Sequence, residues 1–302
     1  MTVCDGLIAA IRSRLALDAP PRSIQNLAEE VLQVDHSNLN AFELAAQYAP
    51  RLKTRLTRLR QEQIEAGIDP WFDFNSSSPH HIQGPCFVEP RDLPEVKAIK
   101  QNRLRAQPMR SVLESLSFEE FETVCVATLS LLGARDCHLT KRTRDQGIDF
   151  FGQLFLGDLE PTGFPFVRFQ DDLKLWIIGQ AKHYVGGKVS TPEIRNLVGS
   201  VNLARFKEYA STTELMSELP MRSCDPVLVL FLTTGTFTRD AKRLALNSGA
   251  ILKDVGDLSK FLADRCVGAH VGQDFNKEHL LQWAQDKTAG VHAATSDEQM
   301  DT

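Results

Sequence analysis

The order of apolar patterns between residues 111 and 266 constrains the fold more strongly than any other feature of the sequence. Helical spacing over SFEEFETVCVATLSLLG, with Ser117 and Glu120 at capping-box positions, predicts a helix. Strand patterns and further helical patterns then alternate, which predicts an α/β sheet. The predicted strands are HLTKRT, IDFFGQLFL, LKLWIIGQAK, PVLVLFLTT and AILKDV, and the predicted later helices begin at Thr191 and in TRDAKRLALNSG.

Changes of composition divide the chain into four predicted parts. The length of 302 residues favours about two domains. We expect a helical N-terminal domain over residues 1–66 and a linker over residues 67–110, which is rich in proline and serine and has a basic end. The α/β domain occupies residues 111–266. Residues 267–302 are expected to hold one short helix, NKEHLLQWAQDK, and a disordered polar tail.

The third helix of the N-terminal domain carries the segment RLKTRLTRLR. In it, Arg51, Arg55 and Arg58 form a basic stripe beside an apolar stripe of leucines. The basic stripe has two interpretations. It contacts a nucleic-acid backbone, where neutralised phosphates release counterions, or it is the solvated outer face of an amphipathic helix.

Composition and charge argue against several classes of protein. No apolar run reaches the roughly 18 residues that a membrane-spanning helix needs. The early Asp5 and the lack of a basic leader argue against secretion, so we expect a cytoplasmic protein. The six cysteines form no CxxC pair, which favours reduced thiols. The net charge of −5 does not indicate a generally basic nucleic-acid binder, but binding requires only a local patch.

Three polar residues stand at the ends of predicted strands. Asp149 lies in GIDFF at the head of one strand, and Gln180 and Lys182 lie in IIGQAK at the end of another. Residues two positions apart on a strand point to the same face, so the side chains of Gln180 and Lys182 project together. If the two strands are neighbours, a carboxylate, an amide oxygen and an ammonium group converge at one edge of the sheet.

This set of groups suits the hydrolysis of phosphodiester bonds. A carboxylate and an amide oxygen can hold Mg²⁺ with few protein contacts, and the backbone carbonyl of Ala181 supplies a further hard ligand. The ion lowers the pKa of a bound water, and a nearby lysine opposes the charge that develops on the phosphate. Each piece alone is common in proteins, so the hypothesis depends on the ordered combination.

With their neighbours, these residues resemble the Mrr-type restriction endonuclease domain, a branch of the PD-(D/E)xK nucleases. The resemblance covers about residues 111–266 and implies a restriction-endonuclease-like mixed sheet flanked by helices, preceded by the small helical N-terminal domain. The four blocks that carry it, in order, are FETVCVATLSLLG, TKRTRDQGIDFFG, IIGQAKHYVGGKVSTPEIRNLVGSV and LVLFLTTGTFTRDAKRLA.

The resemblance implies a role for each candidate residue. Asp149 would be the metal-binding acid, and Gln180 would take the place usually held by Glu or Asp. Lys182 would be the catalytic lysine, Ala181 would offer its carbonyl to the metal, and Glu122 on the opening helix would approach the metal directly or through a water. The implied cofactor is Mg²⁺, for which Mn²⁺ can substitute.

The implied function is a metal-dependent DNA endonuclease that acts in restriction or in defence against foreign DNA. Its partner would be double-stranded DNA, and cutting both strands favours a homodimer. The N-terminal helices would act as a sensor or as the docking site of an activating partner. A repair nuclease would use the same chemistry, and RNA stays open as a substrate.

The alternative function is a non-catalytic nucleic-acid-binding or interaction module on a nuclease-like fold. It is motivated by the acidic net charge and by the neutral Gln180. Two departures from the family pattern concern the surroundings of the site. The segment between Asp149 and Gln180 is long, with an insertion GDLEPTGFPFVRFQDD, and the N-terminal part does not resemble the winged-helix domain often attached to this nuclease.

Overall fold

A computed structural model describes residues 2–35, 40–140, 147–155, 174–207, 219–268 and 275–297. The chain divides into two compact units, Met1–Leu104 and Arg105–Thr302. The predicted insertion between Asp149 and Gln180 lies outside the described residues. Within the described residues, no helix combines the length and the apolar character needed to cross a membrane.

The N-terminal unit packs three helices against a small antiparallel sheet. A capping box between Thr2 and Asp5 starts the first helix. The apolar faces of the helices enclose a core that includes Ile11, Leu52 and Leu56. These helices are α1 (Val3–Arg14), α2 (Ile24–Asp35) and α3 (Ala41–Glu65), and a fourth helix of the unit is α4 (Pro94–Arg103). The strands, in sheet order, are β1 (Arg22–Ser23), β3 (Ser78–Gln83) and β2 (Asp73–Asn75).

The basic stripe of α3 lies on its exposed face. Two of its arginines form ion pairs, Arg55 with Asp5 at 3.6 Å and Arg58 with Glu62 at 2.7 Å. Surface pairs of this kind contribute about 0–1 kcal/mol each, so they do not decide between the two interpretations of the stripe.

The segment expected to be a linker is folded up to residue 104. Ser76 and Ser77 form the turn between β2 and β3, and the side chains of Phe72 and Ile82 are fully buried in the N-terminal core. The expectation of a linker was wrong here, because serine and proline mark a tight hairpin turn as readily as an unstructured segment. Pro108 stands in the first turn of the next helix, α5 (Ala106–Ser115), where no intrahelical N–H bond is lost.

The C-terminal unit is built on a five-stranded mixed sheet. The antiparallel part consists of β4, β5 and β6, and the parallel part consists of β6, β8 and β10. In sheet order the strands are β10 (Ile251–Lys253), β8 (Val227–Thr233), β6 (Lys174–Lys182), β5 (Phe150–Phe155) and β4 (Arg135–Leu139), and a separate parallel pair consists of β7 (Lys188–Val189) and β9 (Thr236–Phe237).

Helices cover both faces of this sheet. Alternate residues of β6 pack on opposite sides, Ile177 in one core cluster and Ile178 in the other. The first cluster contains residues of α5 (Ala106–Ser115), α6 (Phe118–Leu131), α9 (Val255–Asp264) and α10 (Lys277–Asp297), and the second contains residues of α7 (Thr191–Phe206) and α8 (Arg239–Ser248). The predicted fold class, a mixed sheet flanked by helices and preceded by a small helical domain, is confirmed.

Local signals placed most of these elements correctly. Ser117 and Glu120 form the predicted capping box of α6, and α8 ends at Gly249 as expected. The last helix is longer than predicted, since α10 continues through Asp297 into the segment expected to be disordered. Its first turns bury Leu280 and Ala284 in the core, and this packing supports the helix beyond what its polar composition suggests.

Gly179 allows β6 to pack closely against the strands on either side of it, β5 and β8. A Cβ at this position would lie 2.3 Å from the ring of Phe150 and 2.7 Å from the carbonyl oxygen of Leu230. We expect Gly179→Ala to lower the free energy of unfolding of the C-terminal unit by about 1–3 kcal/mol, because the ring and the neighbouring strand must shift. Urea unfolding measures this change.

Gly199 in α7 provides the matched control. A Cβ there meets no described atom within 4 Å, so Gly199→Ala should raise the free energy of unfolding by about 0.5–1 kcal/mol through helix propensity. Equal effects of the two substitutions would contradict the close packing inferred at Gly179.

Candidate active site at the adjoining ends of β5 and β6

The two strands that carry the candidate residues are neighbours in the sheet. Asp149 directly precedes β5, and Gln180 and Lys182 stand in the last three residues of β6. The strands pair antiparallel, with Phe150 opposite Gly179, so the beginning of β5 adjoins the end of β6. The condition that the sequence left open, that these two strands are neighbours, is met.

The carboxylate of Asp149 is bonded to the backbone of β6. Its Oδ2 accepts the N–H of Ala181 at 2.8 Å, and its own N–H donates to the carbonyl of Gly179 at 3.0 Å. The side chain of Asp149 is buried, and its contact with Ala181 holds the acid against the middle residue of the Q-x-K sequence.

The backbone of Ala181 presents its polar groups to the same side. Along a strand, the N–H and C=O of one residue point to one neighbouring strand and those of the next residue to the other. The carbonyl of Lys182 points toward β8, where Thr234 N donates to it, so the carbonyl of Ala181 points toward Asp149. The pairing of β5 with β6 ends at Gly179, and this carbonyl therefore lies beyond the ladder.

The side chains of Gln180 and Lys182 line one cleft of about 600 Å³, as their spacing predicted. Its other wall is α7, which contributes Arg195, Asn196 and Gly199. Gly147, with φ of +85°, also lines the cleft, and a Cβ there would lie 3.8 Å from Gln180 Nε2. This positive φ is readily adopted only by glycine.

Glu122 lies on α6, on the opposite face of the sheet from α7. Neither Glu122 nor Asp149 is among the described residues that line the cleft, but both are buried and share a neighbour. That neighbour is Cys125. Burial raises the pKa of the Cys125 thiol well above its usual range, and the charges of Asp149 and then Glu122 raise it further. The two carboxylates thus lie within electrostatic range of one buried thiol.

The donor groups at this strand edge fit a hard divalent cation. They comprise the carboxylate of Asp149, the amide oxygen of Gln180 and the carbonyl of Ala181. Over the described ranges, no group of three or more His, Cys, Asp or Glu side chains could hold a metal. A cation here would therefore depend on neutral oxygen ligands and waters as well as on acids, which Mg²⁺ tolerates.

His80, His81 and His183 do not belong to this set of donor groups. The ring of His183 packs against that of Phe121, with centroids 5.7 Å apart. His80 and His81 stand on β3 in the N-terminal unit. Residues 141–146, which include Lys141, Arg142, Arg144 and Asp145, are outside the described residues.

Sequence reasoning missed the polar face of α7. Arg195, Asn196 and Gly199 repeat at helical spacing between the buried positions Ile194, Leu197 and Val201. That spacing was available in the sequence, but only the fold turns this face toward Lys182.

Comparison with known proteins places this site within a recognised domain. Residues 113–213 match the family model Mrr_cat, a restriction endonuclease. The matched range contains Glu122, Asp149, Gln180 and Lys182, and it confirms the resemblance to an Mrr-type restriction endonuclease domain. A search of curated proteins gave no match.

Two solved structures show partial likeness. One is the MspJI restriction endonuclease in complex with a 27-mer oligonucleotide, with 16% identity, a TM-score of 0.37, and coverage of 67% of this chain and 40% of that one. The other is the DNA modification-dependent restriction endonuclease AspBHI, with 18% identity, a TM-score of 0.38, and coverage of 72% and 47%. The chain therefore spans less than half the length of either protein.

The bond between Asp149 and Ala181 leads to a stability prediction. We expect Asp149→Ala to lower the free energy of unfolding by about 1–3 kcal/mol, because the buried N–H of Ala181 loses its acceptor. Asp149→Asn keeps an acceptor oxygen and should unfold close to the wild type. Urea unfolding of both variants checks this, and equal stability of Asp149→Ala and the wild type would contradict it.

Proposed function

We propose that this protein is a divalent-metal-dependent DNA endonuclease that acts in the cytoplasm in restriction or in defence against foreign DNA. The observation that carries the proposal is the position of Asp149, Gln180 and Lys182 at adjoining ends of β5 and β6, inside the range that matches the restriction endonuclease model. We take double-stranded DNA as the substrate and Mg²⁺ as the cofactor, with Mn²⁺ as a substitute.

Different residues would take different roles in phosphodiester hydrolysis. Asp149, the amide oxygen of Gln180 and the carbonyl of Ala181 would hold the cation, with Glu122 reaching it directly or through a water. When bound, the cation supplies charge neutralisation and a more acidic water. Lys182 orients the attacking water and opposes the negative charge that develops on the phosphate.

The cleft beside Lys182 supplies donors for the DNA backbone. Arg195 and Asn196 lie exposed on the wall formed by α7, where their side chains can donate to phosphate oxygens. Gly199 on the same wall has no side chain, which leaves room for a sugar–phosphate chain to approach. A duplex that lies along α7 would thus present a phosphate to Lys182.

The proposal includes two expectations from the sequence, one for the N-terminal unit and one for the oligomeric state. The N-terminal helices would sense or dock a partner that activates cleavage. Two copies of the chain, each with one site, would cut the two strands of a duplex.

Cleavage of plasmid DNA tests the catalytic role of Lys182. In Mg²⁺, the wild type should cut the plasmid, and Lys182→Ala should cut about 100-fold more slowly or worse, because the cation opposing the transition-state charge is gone. Ca²⁺ should support DNA binding without cleavage. Methylated and unmethylated plasmids are compared to detect a dependence on modification.

Each outcome of this assay has a defined meaning. Equal cutting by wild type and Lys182→Ala would overturn the assigned site. DNA binding without cleavage by the wild type in Mg²⁺ or Mn²⁺ would favour the non-catalytic module instead. Cleavage as fast in Ca²⁺ as in Mg²⁺ would contradict the metal role proposed here.

The phosphate contact of Arg195 is tested by the salt dependence of binding in Ca²⁺. Each neutralised phosphate of B-DNA contributes about 0.9 to the slope of log K against log salt concentration. Arg195→Ala should therefore weaken binding on every sequence and reduce the magnitude of that slope by about 1.

Arg243→Ala is the matched control for Arg195. Arg243 is exposed on α8 and pairs with Asp240 at 3.2 Å, away from the cleft residues. Its removal should leave the slope unchanged. If the two variants change the slope equally, Arg195 has no specific contact with the backbone.

A further inference from the structure

Lys182 is the last residue of β6, and its carbonyl is held from the neighbouring strand by two donors. Thr233 Oγ1 donates to Lys182 O at 2.8 Å, and Thr234 N donates to the same oxygen at 3.1 Å. Thr233 is also the register partner of Lys182 in the parallel pairing of β6 with β8. The end of β6 is thus fixed by a side chain in addition to the ladder.

The hydroxyl of Thr233 is itself held in place. It accepts the N–H of Gly235 at 3.0 Å while it donates to Lys182, and the whole residue is buried. A hydroxyl has one hydrogen to donate, so acceptance from Gly235 leaves that hydrogen directed at the carbonyl of Lys182. Loss of the hydroxyl would leave Gly235 N–H without this acceptor.

Gly235 brings the loop after Lys182 against the same segment. A Cβ on Gly235 would lie 2.7 Å from the carbonyl oxygen of Tyr184 and 2.6 Å from that of Gly187. Both contacts are with backbone atoms, which a side chain cannot push aside cheaply. Position 235 therefore requires glycine, because the loop that follows Lys182, over Tyr184 to Gly187, packs directly against it.

Thr233 also lies on the face of the sheet that bears the candidate site. Phe231, two residues earlier, belongs to the core cluster under α7, and residues two apart share a face. Gln180 and Lys182 line the cleft on that side. The threonine thus stands beside the lysine, on the same face of the adjacent strand.

We propose that Thr233 is a positioning residue for Lys182, acting through the backbone of the lysine. The inference rests on the catalytic role proposed for Lys182. A lysine has a long, flexible stem, so the position of its ammonium group depends on how firmly its backbone is anchored at the strand end. A misplacement of about 1 Å can cost about 100-fold in rate, which makes such an anchor matter for kcat.

The test compares cleavage kinetics of the full chain in Mg²⁺. Thr233→Val keeps the shape and removes the hydroxyl, and we expect its kcat to fall by about 10- to 100-fold. KM, and the Kd for DNA in Ca²⁺, should stay within about twofold of the wild type, because Thr233 is buried and does not reach DNA. Thr233→Ser restores the hydroxyl and should recover most of kcat. Thr233→Ala lacks the hydroxyl without an added methyl and gives the same expected loss if the valine variant does not fold.

Thr128→Val is the matched control. Thr128 is also buried, and its Oγ1 donates to a backbone carbonyl, that of Val124, at 2.7 Å on α6. This variant loses one buried hydrogen bond from a threonine hydroxyl to a backbone carbonyl elsewhere and should keep the kcat of the wild type. The comparison separates a general loss of stability from a loss of position at Lys182.

The outcomes distinguish this inference from the proposed function. Full kcat in Thr233→Val, or in Thr233→Ala where the valine variant does not fold, overturns the positioning role and leaves the nuclease intact, provided that Lys182→Ala is inactive. A serine variant as slow as the variant without the hydroxyl also overturns it, as does an equal loss in Thr128→Val. A wild type that binds DNA but never cuts it overturns the proposed function, and the positioning role with it.

Discussion

The site depends on the hydrogen bond between Ala181 N–H and Asp149, at the point where β6 continues beyond its pairing with β5. β5 pairs with β6 only as far as Gly179, so the N–H of Ala181 faces a side where the ladder has ended. A buried N–H needs an acceptor, and the carboxylate of Asp149 provides it at 2.8 Å. The same bond that satisfies the backbone therefore places an acid against the residue that lies between Gln180 and Lys182.

The mixed pairing of β6 explains why the candidate residues stand at adjoining strand ends. An acid at the start of one strand and a lysine at the end of the next adjoin only when the two strands run antiparallel, as β5 and β6 do. On its other side β6 runs parallel to β8, so both strands end at the same edge and Thr233 reaches the carbonyl of Lys182. The two neighbours of β6 thus support its end differently. Asp149, directly before β5, accepts the N–H of Ala181, and Thr233 of β8 donates to the carbonyl of Lys182.

The acidic balance of the chain is compatible with the DNA-binding role proposed for the cleft, because the charged residues there have separate tasks. Glu193 lines the cleft, but it serves α7 as a capping residue and accepts bonds from Ser190 N at 2.6 Å and Ser190 Oγ at 2.9 Å. Burial raises the pKa of Tyr184, and the negative charge and hydrogen bond of Glu193 raise it further, so the phenol stays protonated. Lys182 and Arg195 supply positive charge to the same cleft.

The sequence by itself determined the local features: the capping box of α6, the buried strands, and the common face of Gln180 and Lys182 that follows from a period of two residues. It did not distinguish the hairpin around Ser76 from a linker, because turns and linkers share a composition, and it did not foresee the length of α10. Tertiary structure alone decided which strand lies beside which. That order gave Thr233 its contact with Lys182 and turned Arg195 toward the cleft, since hydrogen bonds between strands join residues far apart in the chain and leave no periodic trace in it.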